Sequence, residues 1–225
     1  MRIHRQLAVP AAAVALLALG TLPATAAPGP VAATPVLTAG AAGTAVAVGD
    51  VLGAPLAAST RATFYSTATS TTGVTCTTSQ LAATVLGNPA APGTATESLT
   101  GLTFGSCTSN VTGVTSVRSL TVGSLPYRVA VDDGPGLPVT LTGGAAPIQA
   151  TAVLNSWFGN LTCSYQLSGA FSGNADNAAH SLAFHNEHFA KSGGSVLCPA
   201  DGYFSATYGP VADTSLPGGP AVQVN

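Results

Sequence analysis

From Thr44 onward, turn residues break the chain about every 8 to 15 positions, the spacing of short antiparallel strands. The chain holds 26 glycines and 16 prolines, and the runs between them are rich in Val, Thr and aromatic residues. In "TATESLTGLTFGSCTS", Leu102 and Phe104 flank Thr103, so one face points inward. "GYFSATYGPV" alternates Phe204, Ala206 and Tyr208 with Tyr203, Ser205 and Thr207. "VTSVRSLTVGSLPYRVAVDDGPG" reads as two strands broken at Ser124-Leu125-Pro126. About nine or ten such strands are expected, and no long helical periodicity competes with them. The fold class this predicts is all-β: an antiparallel sandwich, Ig-like or jelly-roll-like, as one domain over residues 41–225. The Gly/Pro-rich stretch Asp132 to Pro147 is the alternative boundary, but each half alone offers few large apolar residues.

Four cysteines suit an oxidising compartment. They permit three connectivities, of which Cys76–Cys107 and Cys163–Cys198 are favoured because each pair brackets one local group of strands. No pair is spaced C-x-x-C, so zinc-knuckle and thioredoxin readings lack support.

The N-terminus has the three parts of a secretory signal. A basic leader, "MRIHRQ", precedes the apolar run "LAVPAAAVALLALGTL" and the small-residue sequence "ATA". Residues 1–26 are therefore expected to be cleaved, in preference to serving as a membrane anchor. Residues 27–40, "APGPVAATPVLTAG", read as a Pro/Ala-rich linker. Arg2 and Arg5 are not adjacent, which favours general secretion over the twin-arginine route. No cysteine lies near the cleavage point to accept a lipid. The expected localisation is extracellular, with no membrane attachment after cleavage.

Without Arg2 and Arg5, four basic residues face eight acidic ones, a formal charge of −4. That is too sparse and too acidic to neutralise phosphates, so nucleic acid and anionic membranes are excluded as partners. Charged residues make up only 6% of the chain, against about 25% in ordinary soluble domains. Hydroxyls and amides carry the surface instead. A cell-wall component or another secreted protein is the expected kind of partner.

Several strings carry a family resemblance: "AVAVGDVL", "TFYSTATSTTGVTCT", "NPAAPGTATESLTGLTFGSCTSNVTGV", "SLPYRV" and "CPADGYFSATYGPVAD". They resemble actinobacterial secreted proteins grouped as Tat pathway signal sequence domain proteins, over about Ala45 to Asp213. The resemblance implies secretion, but no activity, ligand or catalytic residue. The missing arginine pair departs from the group's label and leaves the export route open.

The chemistry-bearing cluster is His180, His185 and His188 beside Glu187. If Ser181 to Glu187 is a strand, His180 shares a face with Leu182 and Phe184, and His185 and Glu187 share the other. His180 and His188 would then stand about 26 Å apart, too far to share one ion. If Asn177 to Lys191 is a helix capped by Asp176, His185 and His188 become neighbours able to chelate. The strand is favoured, and the metal reading on His185, His188 and Glu187 is the weaker one. No His-Glu-x-x-His order and no G-x-S-x-G elbow is present.

Asp132 and Asp133 read as a turn rather than a glycosidase pair. Asn174, Asp176 and Asn177 lack a calcium-loop signature. Trp157, Tyr203 and Tyr208 are the candidates for a carbohydrate or apolar ligand face, with Phe158 and Phe204 beside them, although core packing is the expected role of the group. No cofactor and no catalytic residue is expected. A non-enzymatic binding module, a carrier of a small hydrophobic molecule and a metal-dependent hydrolase are the three functions in play.

Overall fold

A computed structural model describes residues 33–225. The expected signal at 1–26 and the first part of the linker lie outside those residues. The strands fall in chain order as β1 (Leu37–Ala39), β2 (Thr44–Ala45), β3 (Val51–Pro55) and β4 (Ala62–Tyr65). A long pair follows, β5 (Gly73–Gly87) and β6 (Thr94–Ser109), then β7 (Val114–Gly123), β8 (Tyr127–Asp132) and β9 (Pro138–Thr142). Next come β10 (Gln149–Ser156), β11 (Gly159–Leu167), β12 (Phe171–Asp176) and β13 (Ser181–Gly194). β14 (Asp201–Tyr208), β15 (Ala212–Asp213) and β16 (Val222–Val224) complete the set.

The main sheet runs β12-β9-β8-β6-β5-β4-β14-β13, and β13 pairs back onto β12. Eight strands therefore close a barrel, and the expected two-layer sandwich does not form. The cause lies in β5, β6 and β13, which span 15, 16 and 14 residues where about 5 or 6 is usual. Strands that long change neighbours along their length. β6 pairs β8 through residues 94–99 and then leaves it. β13 pairs β12 through residues 181–184 and β11 through residues 189–194. From β13 the sheet continues as β11-β10-β7, and β7 runs beside β6 with no ladder between them among the described residues. Closure also needs a small residue at Gly173, where a Cβ would sit 2.5 Å from the Ala183 carbonyl oxygen.

Inside the barrel the alternating residues make a continuous core. Tyr165, Phe64, Phe189, Phe171 and Phe184 touch ring to ring, and Phe184 reaches Tyr208. Eight strands leave an interior that side chains can fill or one small ligand can occupy, and here aromatic side chains fill it. Two disulfides, Cys76–Cys107 and Cys163–Cys198, join β5 to β6 and β11 to the β13–β14 loop.

The two ends of the barrel differ. At the end reached by the β5–β6 turn, a small sheet ordered β16-β1-β2 covers the opening. Residues 37–39, expected in a linker, form its central strand, with Val36 and Leu37 buried. Asparagine side chains seat this sheet. Asn88 bonds the Leu37 amide and carbonyl, and Asn177 bonds the Val224 amide and carbonyl. The Asn225 side chain donates to Pro35 O and Thr38 Oγ1. At the other end the barrel opens into loops.

Candidate functional site

Four loops ring the open end: residues 66–72, 110–113, 157–158 and 195–200. Asn110 ties the first two, accepting from the Gly73 amide at 2.8 Å and donating to the Thr71 carbonyl at 2.9 Å. The Trp157 amide donates to the Gly113 carbonyl at 3.1 Å. The last loop is fastened by Cys163–Cys198 and by Lys191, whose Nζ donates to the carbonyls of Ser195 and Cys198. These are covalent and polar fastenings, so the loops do not need an apolar underside to hold their shape.

Between the loops lies a recess of about 120 Å³. Its walls are mainly apolar, including Val114, Leu154, Leu161 and Leu197, with Tyr165 and Asp201 among the polar residues beside Tyr65, Ser66 and Thr72. Tyr165 Oη donates to the Pro199 carbonyl at 3.3 Å, and burial together with the Asp201 charge pushes its phenol up to about 12. The loops carry large apolar side chains that are exposed among the described residues, and Leu197 is one wall of the recess. Trp157 is 74% exposed, Phe158 83%, Val196 92% and Leu197 63%. The indole lies beside Gly113, where a Cβ would meet it at 3.9 Å.

The histidine cluster is divided by the fold. β13 is a strand, not a helix, and it bulges between Phe184 and Glu187, with Asn186 at φ 55°. The bulge separates two residues expected on one face. His185 points to solvent, whereas Glu187 turns inward and accepts from the Ser172 amide at 2.9 Å. Burial raises the Glu187 carboxyl, while the Ser172 bond and the nearby His185 lower it. His188 sits outside, with Nε2 2.7 Å from Asp201 Oδ1 and its ring stacked on Tyr203 at 4.9 Å. His180 turns the other way and bonds the Val222 carbonyl through Nδ1 at 3.2 Å. Among the described residues no three His, Cys, Asp or Glu side chains converge as ligands of one ion.

The remaining candidates divide as well. Tyr208 is 1% exposed and belongs to the core, and Tyr203 serves as the platform under His188. Asp132 and Asp133 are spent on the turn, accepting from Gly134 N, Thr94 Oγ1 and Gly93 N. Asp176 likewise accepts from the local Ala178 amide, and the Asn174 side chain donates to the Gly136 carbonyl before β9. Trp157 alone of the three aromatic candidates is presented to solvent. Val196 and Leu197 carry no periodic signal, and only their place in a Gly/Ser-flanked loop before Cys198 hints at exposure. The chain matches no protein-family model, no curated protein and no solved structure.

Proposed function

We propose that this protein is a secreted, non-enzymatic binding module that engages a cell-wall component or another secreted protein through its open loop end. One observation carries the reading: Trp157, Phe158, Val196 and Leu197 stand exposed on two loops, one fastened by the Cys163–Cys198 disulfide and the other by the Trp157 amide bond to Gly113. Exposed aromatics on a fixed scaffold lose little entropy on binding, and aromatic anchors dominate interface energetics. The two disulfides support an oxidising, extracellular-type setting.

The carrier reading gains nothing from the interior. Cavities of about 30 and 40 Å³ lie within the core. Ligand pockets run to about 300–1,000 Å³. The core cavities and the recess fall short of that, and the two grooves that reach it, of about 420 and 360 Å³, are lined mostly by polar residues. The hydrolase reading needs His185 and His188 to converge with Glu187, and the bulge in β13 sends Glu187 inward instead.

The test is retention on purified cell wall and on culture proteins, comparing the wild-type chain with Trp157→Ala/Phe158→Ala. The wild type is expected to be retained, and the double variant to lose about tenfold or more in affinity at unchanged thermal stability. Equal retention of both would overturn the assignment of this end.

A further inference from the structure

Glu97 enters the barrel from β6 between Ala95 and Leu99, and all three are buried. Its partners across the ladders are Val85 in β5 and Val129 in β8, which are buried as well. No donor from the described residues reaches its carboxyl, and burial alone pushes it up to about 7. The side chain lines a cavity of about 40 Å³ whose far wall is the terminal sheet, through Leu37, Val222 and Val224. Space of that size holds one or two waters, too few to hydrate a carboxylate.

A second acid sits at the same end. Asp213 is fully buried; its Oδ1 accepts from the Ser215 amide at 3.0 Å, and its Oδ2 has no hydrogen-bond donor among the described residues. Burial and the neighbouring Asp50 carboxyl both raise it, against the lowering effect of the Ser215 and Leu216 backbone amides. Asp213 pairs with Leu52, which lines the Glu97 cavity, and its amide donates to Pro220 in the segment leading to β16. Two carboxyls without adequate donors thus lie beneath and beside one small sheet.

We propose that the sheet β16-β1-β2 is a pH-sensitive plug, seated over the barrel while Glu97 and Asp213 are protonated and loosened when they ionise. An ionised carboxylate in an apolar cavity must recruit water or shift its surroundings. The terminal sheet is the wall that yields with least loss. β1 holds β16 through three residue pairs and β2 through two, whereas β5 and β6 hold each other through twelve. Short ladders at chain ends open at low free energy.

The other titratable groups around the cavity are Asp176, at the end of β12, and His180, in the turn before β13. Arg128 follows on β8 but faces solvent, and β1 and β16 contain none. His180 bonds the Val222 carbonyl, so its titration acts on the same sheet and needs its own control.

Native-state hydrogen exchange on the protein tests the proposal, with amide rates corrected for intrinsic pH dependence. From about pH 5 to about pH 8, protection at Leu37–Ala39 and Val222–Val224 should fall at least tenfold relative to the β10–β11 amides. Glu97→Gln and Asp213→Asn together should abolish that difference, and His180→Gln should leave it in place. Parallel pH dependence in the terminal sheet and in β10–β11 of the wild type would overturn the proposal whether or not the variants fold. A difference that survives in the double variant and disappears in His180→Gln would also overturn it.

Discussion

Tyr208 Oη lies 2.9 Å from Ser79 Oγ, which itself donates to the Thr103 carbonyl at 2.6 Å. With the serine proton committed to Thr103, the tyrosine donates. The chain of bonds joins β14 to β5 and β6 inside the barrel wall, and burial pushes the Tyr208 phenol up to about 12. Tyr208→Phe removes one donor and leaves Ser79 bonded, at a cost of about 1 kcal/mol. Ser79→Ala strands the buried phenol instead, at about 1–3 kcal/mol. Urea unfolding should therefore rank Ser79→Ala as the more damaging change. The opposite order would mean that the phenol finds another partner.

Much of the barrel is legible as strands in the sequence, and little of it as a barrel. The alternation in "GYFSATY" places Phe204, Ala206 and Tyr208 inside, as found, and the break at Ser124-Leu125-Pro126 separates β7 from β8. Both favoured cysteine pairings occur. Period-two patterning tells which side chains share a face but not which strand lies next, so the β12–β13 closure was beyond its reach. β1 was hidden because Val36 and Leu37 are ordinary apolar residues in a Pro/Ala-rich context, and asparagine side chains supply the bonds that hold their strand. One residue with positive φ, Asn186, reversed the facing of Glu187 relative to His185. Trp157 stood among the aromatic candidates, but core packing was the expected role of that group, and its exposure between β10 and β11 is a correction to it. Glu97 was not legible, because a carboxyl at an inward position runs against the rule that places charges outside.

Cys163–Cys198 closes a sequence separation of 35 residues. In the chain-entropy account such a loop contributes about 3.7 kcal/mol. Replacing both cysteines by serine should lower the melting temperature by about 10 °C in a domain of this size. Local effects should be specific. Lys191 bonds carbonyls within the same loop, so release of Cys198 should make residues 195–200 the first site of protease cleavage and weaken binding at the open end. Cleavage that begins elsewhere would argue that the disulfide is not what shapes this loop.

Glu97 makes global stability fall as pH rises. In the unfolded chain its carboxyl ionises near 4.5, and in the folded barrel only near about 7. Between those values the folded state keeps a proton that the unfolded state has lost, so each step up in pH favours unfolding. The loss amounts to about 3 kcal/mol and is complete near the folded value. Asp213 and Glu187, also raised by burial, act in the same direction. Asp132, lowered by bonds from Thr94 and Gly134, opposes them only at the acid end. Glu97→Gln removes this one titration while keeping the shape, so the wild-type curve minus the variant curve isolates it. Urea unfolding across this range should show the wild type falling progressively below the variant as pH rises, and the gap levelling off above the folded value. A flat difference throughout would mean that Glu97 ionises in the folded barrel as readily as in water.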